Sequence, residues 1–125
     1  MADKILVIDD APVIRKFLHE VLTDAGFEVD TAENGKEGLE LIADSEYSII
    51  FCDVHMPVMN GLQTIKSIKM IKPDIPIIMT DSLPEKEAED AAKAGAIRCL
   101  AKPFDLHELQ ETIRSVLSDK ISSPK

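Results

Sequence analysis

The stretch Ile49-Ile50-Phe51-Cys52-Asp53-Val54-His55-Met56-Pro57-Val58-Met59-Asn60-Gly61 decides the fold. Its first four residues are apolar and run straight into one acid. This pattern predicts a buried strand that delivers the Asp53 carboxylate at its C-terminal end. Pro57 and Gly61 punctuate the next segment, so Asp53 stands at a strand-to-loop transition and not inside an element. Open α/β sheets bind ligands at the carboxyl ends of their strands. The decisive matter is which other side chains reach that edge.

Upstream, Lys4 to Ile8 is a second continuous apolar run, closed by Asp9 and Asp10. Pro12 suits a first helical turn, with Asp10 or Ala11 as its cap. Ile14, Phe17, Leu18, Val21, Leu22 and Ala25 then recur on one helical stripe that ends at Gly26. A weaker strand spans 28–33, and Asn34 to Glu37 is a capping-box pattern opening a second helix. Downstream, Gly61 opens a third helix carrying Leu62, Ile65 and Ile68, and Pro73 forbids its continuation. A fourth strand, 76–80, ends in Thr80. Ser82 to Glu85 is a further capping box, and its helix would turn Ala88, Ala91, Ala92 and Ala94 inward up to Gly95. Alanines bury little area, which predicts the most loosely held helix of the set. A fifth strand, 97–101, leads to Lys102-Pro103. Asp105 to Glu108 then caps a fifth helix with Leu106, Leu109, Ile113, Val116 and Leu117 inward.

Strict strand–helix alternation predicts an α/β fold: a doubly wound, flavodoxin-like, five-stranded parallel sheet with five helices. The first, third and fourth strands are almost wholly apolar, as burial on both faces requires. The second and fifth carry Asp30, Thr31 and Arg98, as edge strands do, which selects the order 2-1-3-4-5.

The chain has 125 residues, enough for one domain with a genuine core. Its formal net charge of −9 argues against nucleic acid and against an anionic membrane surface as partners. No apolar run approaches the ~20 residues of a membrane span, and the start lacks a signal-peptide layout, so a cytoplasmic location is expected. Cys52 and Cys99 fall on strands separated by another strand, roughly 10 Å apart at ~4.8 Å per strand. A disulfide needs a closer approach, so none is expected.

Four strands thus bring polar groups to one rim: Asp9 and Asp10, Asp53, Thr80 and Lys102. Three converging carboxylates repel unless a cation or a lysine offsets them. Hard oxygen ligands without a histidine or cysteine cluster point to Mg²⁺. A carboxylate beside a metal, an ammonium and a hydroxyl is the equipment of phosphoryl transfer, with the carboxylate as nucleophile.

On Asp9-Asp10, Asp53 with Met56 to Gly61, Thr80, Gly95-Ala96 and Lys102-Pro103-Phe104, the chain resembles the receiver domain of two-component response regulators, most of all the single-domain members. The likeness spans nearly the whole chain, with a receiver domain at 1–120 and a disordered tail at 121–125. It implies that Asp53 takes a phosphoryl group from a sensor histidine kinase or a histidine phosphotransfer protein. It implies Mg²⁺ held by Asp10 directly, by Asp9 mostly through water, by Asp53 and by the His55 carbonyl. Lys102 would hold one phosphoryl oxygen, and Thr80 would swing onto another. A cis peptide before Pro103 is implied as well. Output would pass to a downstream protein through the fourth helix, fifth strand and fifth helix, or by onward phosphotransfer, with no DNA-binding domain after Leu117. Such a chain assists its own phosphorylation and dephosphorylation but turns over no external substrate.

Two positions depart from that family. Cys99 stands where its aromatic switch residue belongs, three places before the lysine, and a small thiol cannot fill that volume. Asp81 stands where alanine or glycine normally follows the threonine. Pointed inward it would repel the phosphoryl group; pointed outward it decorates the loop, the orientation that desolvation favours. Ser82 and the His55 side chain are expected only to modulate access to the site. His19 and His107 read as surface residues, and Asp30, Glu33 and the acidic run 85–90 as solvated faces.

Competing functions are a pseudo-receiver scaffold that phosphorylation does not switch, a flavodoxin and a haloacid-dehalogenase-type phosphatase. The intact acidic set argues against the first. The acidic Asp9-Asp10-Ala11-Pro12 turn repels the phosphate a flavodoxin must bind, and the first strand lacks the Asp-x-Asp arrangement of the phosphatase.

Overall fold

The computed structural model describes residues 3–53, 61–81, 92–101 and 105–122. Strands β1 (Lys4–Ile8), β2 (Glu28–Ala32), β3 (Ile49–Asp53), β4 (Ile77–Asp81) and β5 (Arg98–Ala101) alternate with α1 (Pro12–Asp24), α2 (Gly35–Asp44), α3 (Gly61–Ile71) and a C-terminal helix (Leu106–Ser122). Residues 92–94 are helical too, where the fourth of the five expected helices should end at Gly95. All pairings are parallel and the sheet order is β2-β1-β3-β4-β5, as the strand compositions predict. Element ends differ from expectation by a residue or two, the usual fraying of such boundaries.

Alternation along each strand divides the core in two. Leu6, Ile8, Ile50, Cys52, Ile77 and Met79 pack with Ile42 of α2 and with Ile65 and Ile68 of α3. Ile5, Val7, Ile49, Phe51, Ile78 and Leu100 pack on the other face with Leu18 and Leu22 of α1 and Leu109, Ile113 and Val116 of the C-terminal helix. Nearly all of these side chains are inaccessible to solvent, so β1, β3 and β4 are rigid stems for whatever their ends carry.

Helix ends follow their sequence signals. α1 closes with the Phe27 N–H donating to the Leu22 carbonyl and the Gly26 N–H to that of Thr23, Gly26 lying at φ +102°. Asn34 accepts from the Glu37 N–H at 2.8 Å, while the Glu37 carboxylate takes the Glu33 N–H. Asp105 and Glu108 bond reciprocally in the same way. Lys69 tethers the turn after α3 by donating to the carbonyls of Pro73 and Ile75. Gly38 has a different reason: a Cβ there would sit 2.5 Å from Ile8 Cδ1. Only a bare backbone lets α2 press this closely on the end of β1.

Three expectations need correction. Of the described alanines in the fourth-helix segment, Ala92 is exposed and Ala94 is buried, while Ala88 and Ala91 lie outside the described residues. Asp30 is no solvated face residue: it accepts from the Tyr47 hydroxyl at 2.7 Å and pairs with Lys4 at 3.3 Å. The C-terminal helix runs through Ser122, two residues into the expected tail. Residues 123–125 lie outside the described residues.

Candidate functional site

β1 ends at Ile8, and Asp9 leaves the sheet still tied to it, its N–H donating to the Ala32 carbonyl at 3.1 Å. Asp9 is 1% exposed. One of its carboxylate oxygens accepts the Ala11 N–H at 2.9 Å. That bond takes over the role of a helix cap: Ala11 occupies the N-cap position of α1 with no side-chain cap of its own. The Asp9 carbonyl accepts from the Arg15 guanidinium at 2.7 Å. Asp10, next in the chain, is exposed.

β3 ends at Asp53, 4% exposed, and its register partner on β4 is Thr80, 1% exposed. Neighbouring strands lie about 4.8 Å apart, so acid and hydroxyl share one step of the ladder. One carboxylate oxygen each from Asp9, Asp10 and Asp53 lies within 4.8 Å of the others. An octahedral ion with ~2.1 Å bonds sets its oxygens about 2.9–4.2 Å apart, so a small contraction makes this trio a hard-cation cage. Two of the acids are buried, where like charges raise the free energy of the folded chain unless a cation joins them. Donor type, spacing and burial all fit Mg²⁺.

Cys52 marks how negative this corner is. Its thiol faces the Asp53 carbonyl at 3.6 Å and the Gly61 carbonyl at 4.0 Å. Burial pushes its pKa far above the ordinary thiol value, and the Asp53 and Asp9 charges add to the shift. Cys52 therefore stays a protonated donor, and both cysteines are free, as expected.

Of the residues expected at the site, the structure brings together Asp9, Asp10, Asp53 and Thr80. Cys99 is exposed on β5 opposite Met79, one register step short of the Asp53–Thr80 row. Asp81 is the last residue of β4, paired in register with Ala101. The direction of its side chain falls outside what is described. His55, Ser82, Lys102 and Pro103 also lie outside the described residues. Sequence reasoning missed Arg15 and the Asp9–Ala11 turn bond. The one signal available was a cation in the first turn of α1, six residues after Asp9. An apolar groove of about 300 Å³ between α1 and the C-terminal helix, lined by Val21, Phe27, Leu109, Ile113 and Leu117 among others, contains none of these acids.

The model of the response regulator receiver domain matches residues 5–114. The chemotaxis protein CheY of Thermotoga maritima is 35% identical over 118 residues, covering 93% of this chain and 98% of its own. The transcriptional regulatory protein ZraR of Salmonella typhimurium is 38% identical over 91% of this chain, which spans about a quarter (26%) of ZraR's length. Among solved structures, the response regulator TrrA of Thermotoga maritima, crystallised in complex with Mg(2+)-BeF, superposes with a TM-score of 0.84 at 34% identity, covering 91% of this chain and 98% of its own. By family model, sequence and fold alike, the chain belongs to the receiver domains of response regulators.

Proposed function

We propose that this receiver is a phosphorylation-controlled switch of a two-component system, with Asp53 as the phosphoacceptor. The observation that carries the reading is the trio of carboxylate oxygens within 4.8 Å at the strand ends, with buried Asp53 in register with buried Thr80. The donor is a phosphohistidine on a sensor kinase or histidine phosphotransfer protein. An Asp53 carboxylate oxygen attacks the phosphorus, the P–N bond breaks, and its electron pair remains on the imidazole nitrogen. Asp9, Asp10 and Asp53, with the His55 carbonyl, would hold Mg²⁺. When bound, that ion offsets the negative charge of the carboxylates and phosphoryl oxygens. TrrA's complex with Mg(2+)-BeF supports such a site in a related chain.

In this reading Thr80 donates its hydroxyl to a phosphoryl oxygen, and Lys102, which follows Ala101 in the sequence, pairs with another. Asp81, Ser82 and the His55 side chain are the modulators of access in this reading, and Pro103 carries the cis peptide. The new charge biases a two-state surface made of the fourth helix, β5 and the C-terminal helix, where a downstream protein docks. Cys99 on β5 lacks the aromatic ring expected at this position, so the change leaves through the Thr80 loop itself or through backbone shifts. The chain acts in the cytoplasm as a phosphoacceptor, not as an enzyme on an external substrate. Among the described residues no helix is long and apolar enough to cross a membrane.

Intact mass after incubation with acetyl phosphate and Mg²⁺ tests this. The expected result is one phosphoryl group on the parent protein, none on Asp53→Asn, and none when the metal is chelated. No addition to the folded parent, from this donor or from a histidine kinase, overturns it in favour of an unswitched scaffold.

A further inference from the structure

Resting on the reading of the acidic trio as a cation centre, we infer that Arg15 is a positioning residue for that centre. Its guanidinium donates to the carbonyl oxygen of Asp9 at 2.7 Å, a charge-assisted bond from the first turn of α1 back to the end of β1. That carbonyl belongs to the peptide joining Asp9 to Asp10. Holding it fixes the peptide plane, and with it the directions in which both Cα–Cβ bonds leave the backbone. Asp9 has further ties in its N–H bond to Ala32 and its carboxylate bond to Ala11. Asp10 is exposed, and among the described residues its carboxylate accepts no hydrogen bond. Its aim is therefore inherited from the peptide plane that Arg15 holds. Positions 11, 12, 18 and 19 are Ala, Pro, Leu and His, so no acid on the same helix face draws the guanidinium away.

A pure charge effect predicts the opposite sign. A guanidinium near the trio raises the local potential and opposes entry of a divalent ion, so its removal would tighten binding. A positioning bond, once lost, weakens binding. Groups that orient ligand residues from behind commonly change metal affinity about 10- to 100-fold when removed.

The experiment is calorimetric titration of Mg²⁺ into the parent, Arg15→Gln and Arg15→Lys, with urea unfolding in EDTA to follow the metal-free fold. Expected is about a tenfold weaker Kd for Arg15→Gln. Arg15→Lys, which keeps a cation able to reach the carbonyl, should recover more than half of that loss on a logarithmic scale, while the urea midpoints stay alike. Equal or tighter binding by Arg15→Gln, or no recovery by Arg15→Lys, overturns the assignment and leaves the cation centre standing. Absence of Mg²⁺ binding by the parent overturns both.

Discussion

At mid-strand in β2, in register with Leu6, Asp30 takes a hydrogen bond from Tyr47 and faces the Lys4 ammonium, which also lies 5.4 Å from the Tyr47 ring centre. Asp3 accepts from Ser48 beside them. At the carboxyl ends, Asp9, Asp10 and Asp53 bring oxygen against oxygen. The same side-chain type therefore does opposite work at two levels of one sheet. The lower acid is neutralised inside the chain and fastens β2 to the segment before β3. The upper trio converges at the ends of two rigid stems, β1 and β3, with a donor set and spacing that suit a cation from solution. A carboxylate set between a hydroxyl and an ammonium holds a fold; carboxylates set oxygen to oxygen suit a cation.

The comparison breaks most visibly at Asp53. Asp53→Asn is expected to abolish phosphoryl uptake from acetyl phosphate altogether while the chain stays folded. Uptake persisting at the parent level would place the acceptor elsewhere and dissolve the contrast. Next comes Asp30→Ala, which takes an acceptor from the buried Tyr47 hydroxyl. It should cost about 1–2 kcal/mol in urea unfolding and leave phosphoryl uptake intact. A neutral result would mean that the lower network contributes nothing to stability. Asp9→Asn should act with the reverse sign. Its side-chain oxygen still accepts the Ala11 N–H, but one of three repelling charges is gone, so stability in EDTA should rise by about 1 kcal/mol. A fall there would show that the metal-free trio is already compensated.

The smallest effect is a dependence on pH. Burial, and after it the bond to Asp30 and its charge, raise the Tyr47 pKa above the ordinary phenol value. The unfolded chain releases this proton near pH 10, before the folded chain does. The stability tied to the neutral phenol is thus complete below about pH 10 and is lost as pH rises through the folded value. The difference in unfolding free energy between the parent and Tyr47→Phe should be flat at neutral pH and shrink above about pH 10. Because Tyr47 is the only tyrosine, tyrosinate absorbance reports this one group.

The legible parts were those written in local patterns. Apolar runs ending in Asp9, Asp53 and Thr80 located three strands and the edge at which they end. Polar residues in the second and fifth strands gave the sheet order. Gly26 and Gly95, both with positive φ, closed their helices where the periodicity stopped. Illegible were contacts between elements distant in sequence. Nothing local shows that Tyr47 reaches Asp30, so Asp30 read as a surface charge. Ala11 was one of the two caps expected for α1, but the hydrogen bond made there was hidden, because its acceptor is Asp9, two residues before the N–H it satisfies, and that acid is already spoken for by the site. Arg15 was missed for a related reason: its partner is a backbone carbonyl, and no residue type announces one.

The close approach of Gly38 to Ile8 carries a consequence for how this sequence can drift. Ile8 lies one residue before the first acid of the trio, and its side chain fills the space that a Cβ on Gly38 would need. A methyl group gained on the helix must be matched by carbon lost from the strand. Among diverging descendants of this chain the two positions should change as a pair. Gly38→Ala should be found together with Ile8→Val or a still smaller replacement, and seldom beside an unaltered isoleucine. Such a correlation would be visible in sequences alone, written by a contact that neither position reveals by itself.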